Sequence, residues 1–207
     1  MVRDPVGTRE RILEAASEMV VRRGFAGMSI DALVAQAGVT KGAFFHHFKG
    51  KDALARAIIE HHAAQDYVIM ADLVSRSEKM SRDPRQQILI IMGLLAEAFD
   101  APKDYPGCLF ASTAFESGVF DPALVELAGS VLLAWRDLFL KKLREADAQA
   151  PFPADLSLDT IADMPMVIFE GAFIMARTTQ RLHIIAAQMR TLARLFEVLF
   201  MQPQADK

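Results

Sequence analysis

The sequence predicts an all-α protein, and three observations carry that expectation. Apolar residues recur at the three- and four-residue spacing of a helix face in almost every segment. No run combines strict alternation with β-branched or aromatic enrichment, as a sheet would require. Capping Ser, Thr and Asp residues, with Gly and Pro, punctuate the periodic segments at helix-like intervals. The chain has 207 residues, 52% apolar, 24% charged and 8% aromatic, a composition that forms a core without disulfides or structural metal. Its single cysteine, Cys108, can make no intrachain bridge and no Cys-rich zinc cluster, so a reducing, cytoplasmic setting is expected.

The first helix carries Ile12, Ala15, Ala16, Met19 and Val20 on one face, with Thr8 as its expected N-cap and Gly24 as its stop. Ser29 opens a second helix with Ile30, Leu33, Val34 and Ala37 on one side, ended by Gly38. Thr40 caps a third, very short helix with Phe44 and Phe48 on one face. From Lys51 to about Met80 runs a polar-rich helix of roughly 30 residues, on the order of 45 Å long, which is expected to join two domains, 1–50 and 51–207. Asp83-Pro84 starts a helix with Ile88, Ile91, Met92, Leu95 and Phe99 inward, broken between Pro102 and Pro106 before a short segment over 107–117. Asp121-Pro122 starts the next, to about Ala148, with Leu124, Leu127, Val131, Trp135 and Leu138 inward. Residues 157–178 and 182–201 form two final helices, and Pro165 either kinks the first or marks a late start near Asp163. Phe169, Phe173, Leu192, Leu195, Phe196 and Leu199 in this pair are expected to be covered by a partner subunit.

Several function classes are excluded early. The N-terminal sixteen residues interleave Arg3, Asp4, Arg9, Glu10, Arg11 and Glu14 and have no apolar core of a secretory signal. The most apolar stretches, 88–99 and 164–176, fall short of the roughly 20 residues that span a bilayer and contain Glu97 and Glu170, so no membrane role is expected. Net charge is −3, but residues 1–51 hold eight Lys/Arg against five Asp/Glu, net +3, while the remainder holds fifteen against twenty-one, net −6. A basic head on an acidic body suits a polyanion at one end only.

The segment from Ser29 to Phe48 has the chain economy of a helix-turn-helix. Gly38 can take the positive φ that reverses the chain, Val39 can plug the angle between the helices, and Thr40 caps a new N-terminus whose free N–H groups suit an anion. Lys41 sits on the first turn, Gly42 and Ala43 permit close backbone approach, and Phe45, His46 and His47 lie off the core stripe. Lys51 adds a second cation near the same surface.

These residues resemble a known family. Thr8-Arg9-Glu10-Arg11-Ile12-Leu13-Glu14-Ala15-Ala16, Arg23-Gly24-Phe25-Ala26-Gly27-Met28-Ser29-Ile30, the run from Ala37 to Phe48, and Lys51-Asp52-Ala53-Leu54 closely resemble the N-terminal domain of TetR-family transcriptional regulators. The resemblance covers residues 8 to about 58; Glu170-Gly171-Ala172-Phe173 with Ala176-Arg177 is similar to the family's dimerising penultimate helix. It implies an N-terminal three-helix helix-turn-helix DNA-binding domain, joined by a long helix to a helical ligand-binding and dimerisation domain. The implied function is that of a homodimeric repressor released from double-stranded operator DNA by a small-molecule effector, without catalytic residues, metal or cofactor.

Carried over by position, the resemblance places Ser29, Thr40, Phe45, His47 and Lys51 at the DNA backbone and Lys41, Gly42, Ala43 and His46 near base edges. Ala43 and Phe45 stand where the family often has Thr and Tyr, which removes two hydroxyl contacts and favours a thymine methyl at Ala43. Gly50 replaces the usual polar cap, so a less rigid Lys51 is expected. Met92, Phe99, Phe110, Phe115, Trp135, Met166, Phe169 and Phe173 are the candidate effector-binding residues, as large adaptable apolar surface. Cys108 joins them as a candidate electrophile or oxidant sensor, at an expected helix start that favours a thiolate. Effector binding is expected to tilt the long helix and change the separation of the two recognition helices.

Two other classes compete. An enzyme could use His46-His47, His61-His62 or His183, but adjacent histidines on a helix point about 100° apart rather than forming the i, i+4 pair of a metal motif. A helical dimeric interaction module without sequence-specific DNA binding would keep the apolar faces, yet has no need of Lys41, Lys51 and the glycine-trimmed helix between them.

Overall fold

Nine helices and no strand occupy the residues described by the computed structural model, which are 5–100, 107–116, 120–153 and 155–201, with the side chains of Pro5, Val6 and Phe115 excluded. They are α1 (Pro5–Arg23), α2 (Ile30–Ala37), α3 (Lys41–His47), α4 (Lys51–Met80), α5 (Pro84–Ala98), α6 (Leu109–Phe115), α7 (Pro122–Gln149), α8 (Leu158–Thr179) and α9 (Ile184–Phe200). The chain divides into two compact units, one of residues 1–66 and 107–131, the other of 67–106 and 132–207, so that the division falls inside α4 and α7.

In the first unit α1 packs on α2, α3 and α6, and α2 packs on α3. Its core is built from Ile12, Leu13, Ala16, Leu33, Phe44, Leu54 and Ile58, each fully or almost fully buried. Burial of each larger side chain stabilises the unit by about 1.5–3 kcal/mol. The predicted faces of α1 to α3 are the buried ones, apart from the half-buried Ile30, but α1 begins at Pro5 rather than behind Thr8. Proline is favoured in a first helical turn, and Thr8 instead accepts from the Arg11 guanidinium at 3.3 Å.

In the second unit α9 packs against both α5 and α8. Ile88, Ile91 and Met92 of α5 and Ile185, Met189, Leu192 and Phe196 of α9 are buried. Ser157 caps α8, its hydroxyl accepting from the Thr160 amide at 3.3 Å, and the helix runs through a buried Pro165. The alternative of a start near Asp163 is thereby removed, because the Ser157 cap, eight residues upstream of the proline, satisfies the first turn. Arg85 joins two helix ends, donating to the carbonyls of Ala150 at 2.6 Å and Phe200 at 3.1 Å while lying over the rings of Phe152 and Phe200.

The expectation for the last two helices needs correction. Phe173, Leu192 and Phe196 are buried within the unit, while Phe169 and Leu199 are half-buried. Leu195 is exposed as expected, and so are Val198 of α9 and Val167, Ile174 and Met175 of α8, which the expectation did not include. The outer side of each helix keeps some large apolar residues among its polar ones, so apolar character by itself does not tell which of them turn inward.

Lys142 of α7, almost wholly buried, donates to Glu78 of α4 at 2.9 Å and to Glu145 at 3.1 Å. Burial opposes its charge, yet the two carboxylates outweigh that and raise its pKa. Glu78 is held below the ordinary carboxylate range by its hydrogen bond from Lys142. A lowered carboxylate pKa stabilises the fold above its unfolded value of about 4.3, and that stabilisation is lost as pH falls through the lower folded value. Glu78→Gln is expected to lower the melting temperature at pH 6 by an amount that shrinks towards pH 3, corresponding to under about 1 kcal/mol because Glu78 is exposed. A difference independent of pH in thermal melts contradicts this.

Candidate nucleic-acid interface

The turn between α2 and α3 is built as its sequence predicts. The Ser29 hydroxyl accepts from the Ala32 amide at 3.1 Å and starts α2. Gly38 ends it in the left-handed region at φ 65°, ψ 36°, where a Cβ would be strained. The half-buried Val39 donates its amide to the Val34 carbonyl at 3.0 Å, and the Thr40 hydroxyl accepts from the Ala43 amide at 3.1 Å to start α3. Phe44 and Phe48 anchor α3 from below, with ring centroids 5.7 Å apart. Anchoring that face leaves Lys41, Gly42, Phe45 and His46 exposed and Ala43 and His47 half-buried. Phe45 stands edge-on to Phe44 at 5.2 Å with about half its surface open, and the rings of His46 and His47 are 5.1 Å apart. The structure thus brings Ser29, Thr40, Lys41, Gly42, Ala43, Phe45, His46 and His47 together on α2, α3 and their turn.

Two cations have partners that the sequence did not reveal. Lys41 forms a 2.6 Å ion pair with Asp31 on the first turn of α2. Both groups are exposed, so the pair is weak and can exchange for a phosphate or a base edge. Lys51 donates to the Phe25 carbonyl at 3.2 Å and lies 5.2 Å from the centre of that ring. Lys51 thus has a partner in Phe25 that does not depend on a cap at position 50. Period and capping cannot reveal Phe25 as a partner, since it lies 26 residues from Lys51.

The candidate effector residues are divided between the units. Cys108 and Phe110 belong to the first; the Cys108 thiol is the N-cap of α6 and accepts from the Ala111 amide at 3.4 Å, and Phe110 is buried. The side chain of Phe115 lies outside the described residues. In the second unit Met92 and Trp135 are buried and Met166 is half-buried. There Phe99, Phe169 and Phe173 form one cluster, with ring centroids 4.6 to 5.6 Å apart. Sequence reasoning did not select the lining of a groove of about 560 Å³ in this unit, formed by Met70, Ala71, Val74, Ser75, Glu78, Lys79 and Leu138. Met70 and Val74 have the i, i+4 spacing that could have marked it, but the polar composition of α4 hides the short stripe. His62 is pushed below the ordinary histidine range by burial and then by His61. Among the described residues no cluster of His, Cys, Asp and Glu is placed to hold a metal ion, and no helix is long and apolar enough to cross a membrane.

A short capped helix set directly after a second capped helix, with one side anchored and the other exposed, is the helix-turn-helix element that DNA-binding proteins lay in a major groove. The comparisons carry this to a family. The model for bacterial regulatory proteins of the tetR family matches residues 12–58, and that for the tetracyclin repressor-like C-terminal domain matches 84–192. The chain belongs to the TetR family of DNA-binding transcriptional regulators. It is 25% identical over 175 residues to the transcriptional repressor DhaR of Mycobacterium sp. strain GP1, covering 84% of this chain and 83% of the relative. It is 36% identical over 76 residues to the repressor NemR of Escherichia coli K12, which is 37% of this chain and 38% of NemR. The fold is similar to the crystal structure of reduced E. coli NemR, with a TM-score of 0.76 at 20% identity, covering 96% and 99% of the two chains. It is also similar to a cysteine mutant of the TetR-family regulator CifR complexed with 26-bp operator DNA, with a TM-score of 0.69 at 18% identity and 90% and 95% coverage.

Proposed function

We propose that the protein is a cytoplasmic homodimeric repressor that holds operator DNA through two copies of the α2–α3 element and releases it when a small molecule binds. The observation that carries this reading is the α3 helix, anchored by Phe44 and Phe48 and presenting Lys41, Gly42, Phe45 and His46 outward. Ser29, Thr40, Phe45, His47 and Lys51 meet the phosphate backbone, and Lys41, Gly42, Ala43 and His46 meet base edges. A dimer places its two α3 helices in successive major grooves, about 34–36 Å apart. The exposed apolar residues of α8 and α9 are its contact surface. The effector binds among the apolar side chains of Met92, Phe99, Trp135, Met166, Phe169 and Phe173, with Cys108, Phe110 and Phe115 contributing to the response. It favours the state whose α3 spacing no longer fits the operator, and operator affinity falls by its differential affinity for the two states.

Selection of protein-bound fragments from genomic DNA, followed by gel shifts with candidate effectors, tests the proposal. Recovery of a recurrent two-fold motif supports it, and indiscriminate recovery overturns it. Within that motif, Lys41→Ala is expected to relax preference at particular base pairs, each worth about 1–3 kcal/mol. Lys51→Ala is expected to weaken all duplexes alike and to flatten the log–log salt dependence by about 0.9. Identical profiles for the two variants contradict the assigned roles.

A further inference from the structure

Glu116, which ends α6, meets the peptide that follows α1 across 90 residues of sequence. Its Oε1 accepts the Phe25 N–H at 2.5 Å and its Oε2 accepts the Ala26 N–H at 2.6 Å. On the other side of the same Phe25–Ala26 peptide, the carbonyl accepts from Lys51 Nζ at 3.2 Å. N–H and C=O of a trans peptide point to opposite edges of one plane, so a carboxylate and an ammonium polarise this group from its two ends. Each charge-assisted bond then strengthens the other. Space for the carboxylate exists because residue 24 is glycine at φ 75°: a Cβ there would lie 2.6 Å from Glu116 Oε1. The Phe25 ring packs at 5.0 Å on Phe120, which follows α6, and beneath the Lys51 ammonium, so the peptide is fixed by its side chain as well.

We infer that Glu116 is a positioning residue for DNA binding, holding the Lys51 ammonium, through the Phe25–Ala26 peptide, where it meets a backbone phosphate. The inference rests on the reading of Lys51 as a phosphate ligand. The Phe25 carbonyl takes one of the three N–H donors of Lys51, and the phosphate takes another. Glu116 itself touches no DNA, and it acts on affinity only through the direction of Lys51.

Glu116→Gln separates this role from simple electrostatics, because removing a negative charge by itself strengthens binding to a polyanion. Full-length variants are compared by fluorescence anisotropy on the tightest duplex recovered with the wild-type protein, between about 50 and 200 mM salt. Glu116→Gln is expected to weaken binding about tenfold and to flatten the salt slope by about 0.9, as Lys51→Ala does. The double variant is expected to bind no more weakly than Lys51→Ala alone. Unchanged or tighter binding by Glu116→Gln, or losses that multiply in the double variant, overturns the inference. A second measurement needs neither DNA nor the Glu116 variant. The Ala26 amide proton is expected to move upfield in Lys51→Ala by nuclear magnetic resonance, and an unmoved resonance overturns the coupling. Wild-type protein that retains no duplex at low salt defeats the regulatory reading itself, whereas an unresponsive Ala26 amide defeats only the link between Glu116 and Lys51.

Discussion

Ile174→Glu is expected to yield a monomer in analytical ultracentrifugation and to lower operator affinity by about two to four orders of magnitude. Ile174 is about half exposed on α8, one heptad from the more exposed Val167, and α9 contributes the exposed Leu195 and Val198. In the proposed homodimer, these large apolar side chains on two neighbouring helices are the surface that a second copy of the chain covers. A glutamate on that surface would be buried unpaired in the proposed dimer, yet stays solvated in the monomer. The monomer is therefore expected to keep its fold and its melting profile while losing the second head, and with it the effective concentration that a linked head supplies. A dimer that persists in this variant, or a monomer that binds operator as the wild type does, places the association surface elsewhere or removes the need for it.

Phe44→Ala is expected to abolish operator binding and to destabilise the first unit by about 3–5 kcal/mol. Phe44 is fully buried, and its ring packs against Phe48 and edge-on against Phe45. α3 has only seven residues, too few to persist without a docked face, so truncating the anchor releases the helix as well as leaving a cavity. Amide exchange over 41–47 is expected to rise towards that of an unstructured segment, while α5 and α9 keep their protection. Operator affinity within twofold of wild type, with protection of α3 retained, contradicts the anchoring role.

Much of the fold was legible because caps and periods act over a few residues. Ser29, Gly38 and Thr40 bound α2 and α3 where the sequence predicts, and Lys51 and Met80 bound α4. Where local signals compete, the limits moved: α1 starts at Pro5 rather than behind Thr8, and α9 starts at Ile184 after a His183 that makes no side-chain cap. The outward face of α3 was legible for the same reason, since Phe44 and Phe48 commit one side of a short helix to the core.

The partners of that surface were not legible. Asp31 against Lys41, Phe25 against Lys51 and Glu116 against the Phe25–Ala26 peptide are contacts across 10, 26 and 90 residues, and no local pattern names them. The same holds for α8 and α9, where Phe173 and Phe196 turn inward and Ile174 and Leu195 outward although all four are apolar. By itself the sequence determined the helices, their order and the helix-turn-helix, because backbone geometry and capping are settled by neighbouring residues. Only the tertiary structure decided which apolar face is core and which charged group holds which peptide, because those choices depend on elements that meet only after the chain has folded.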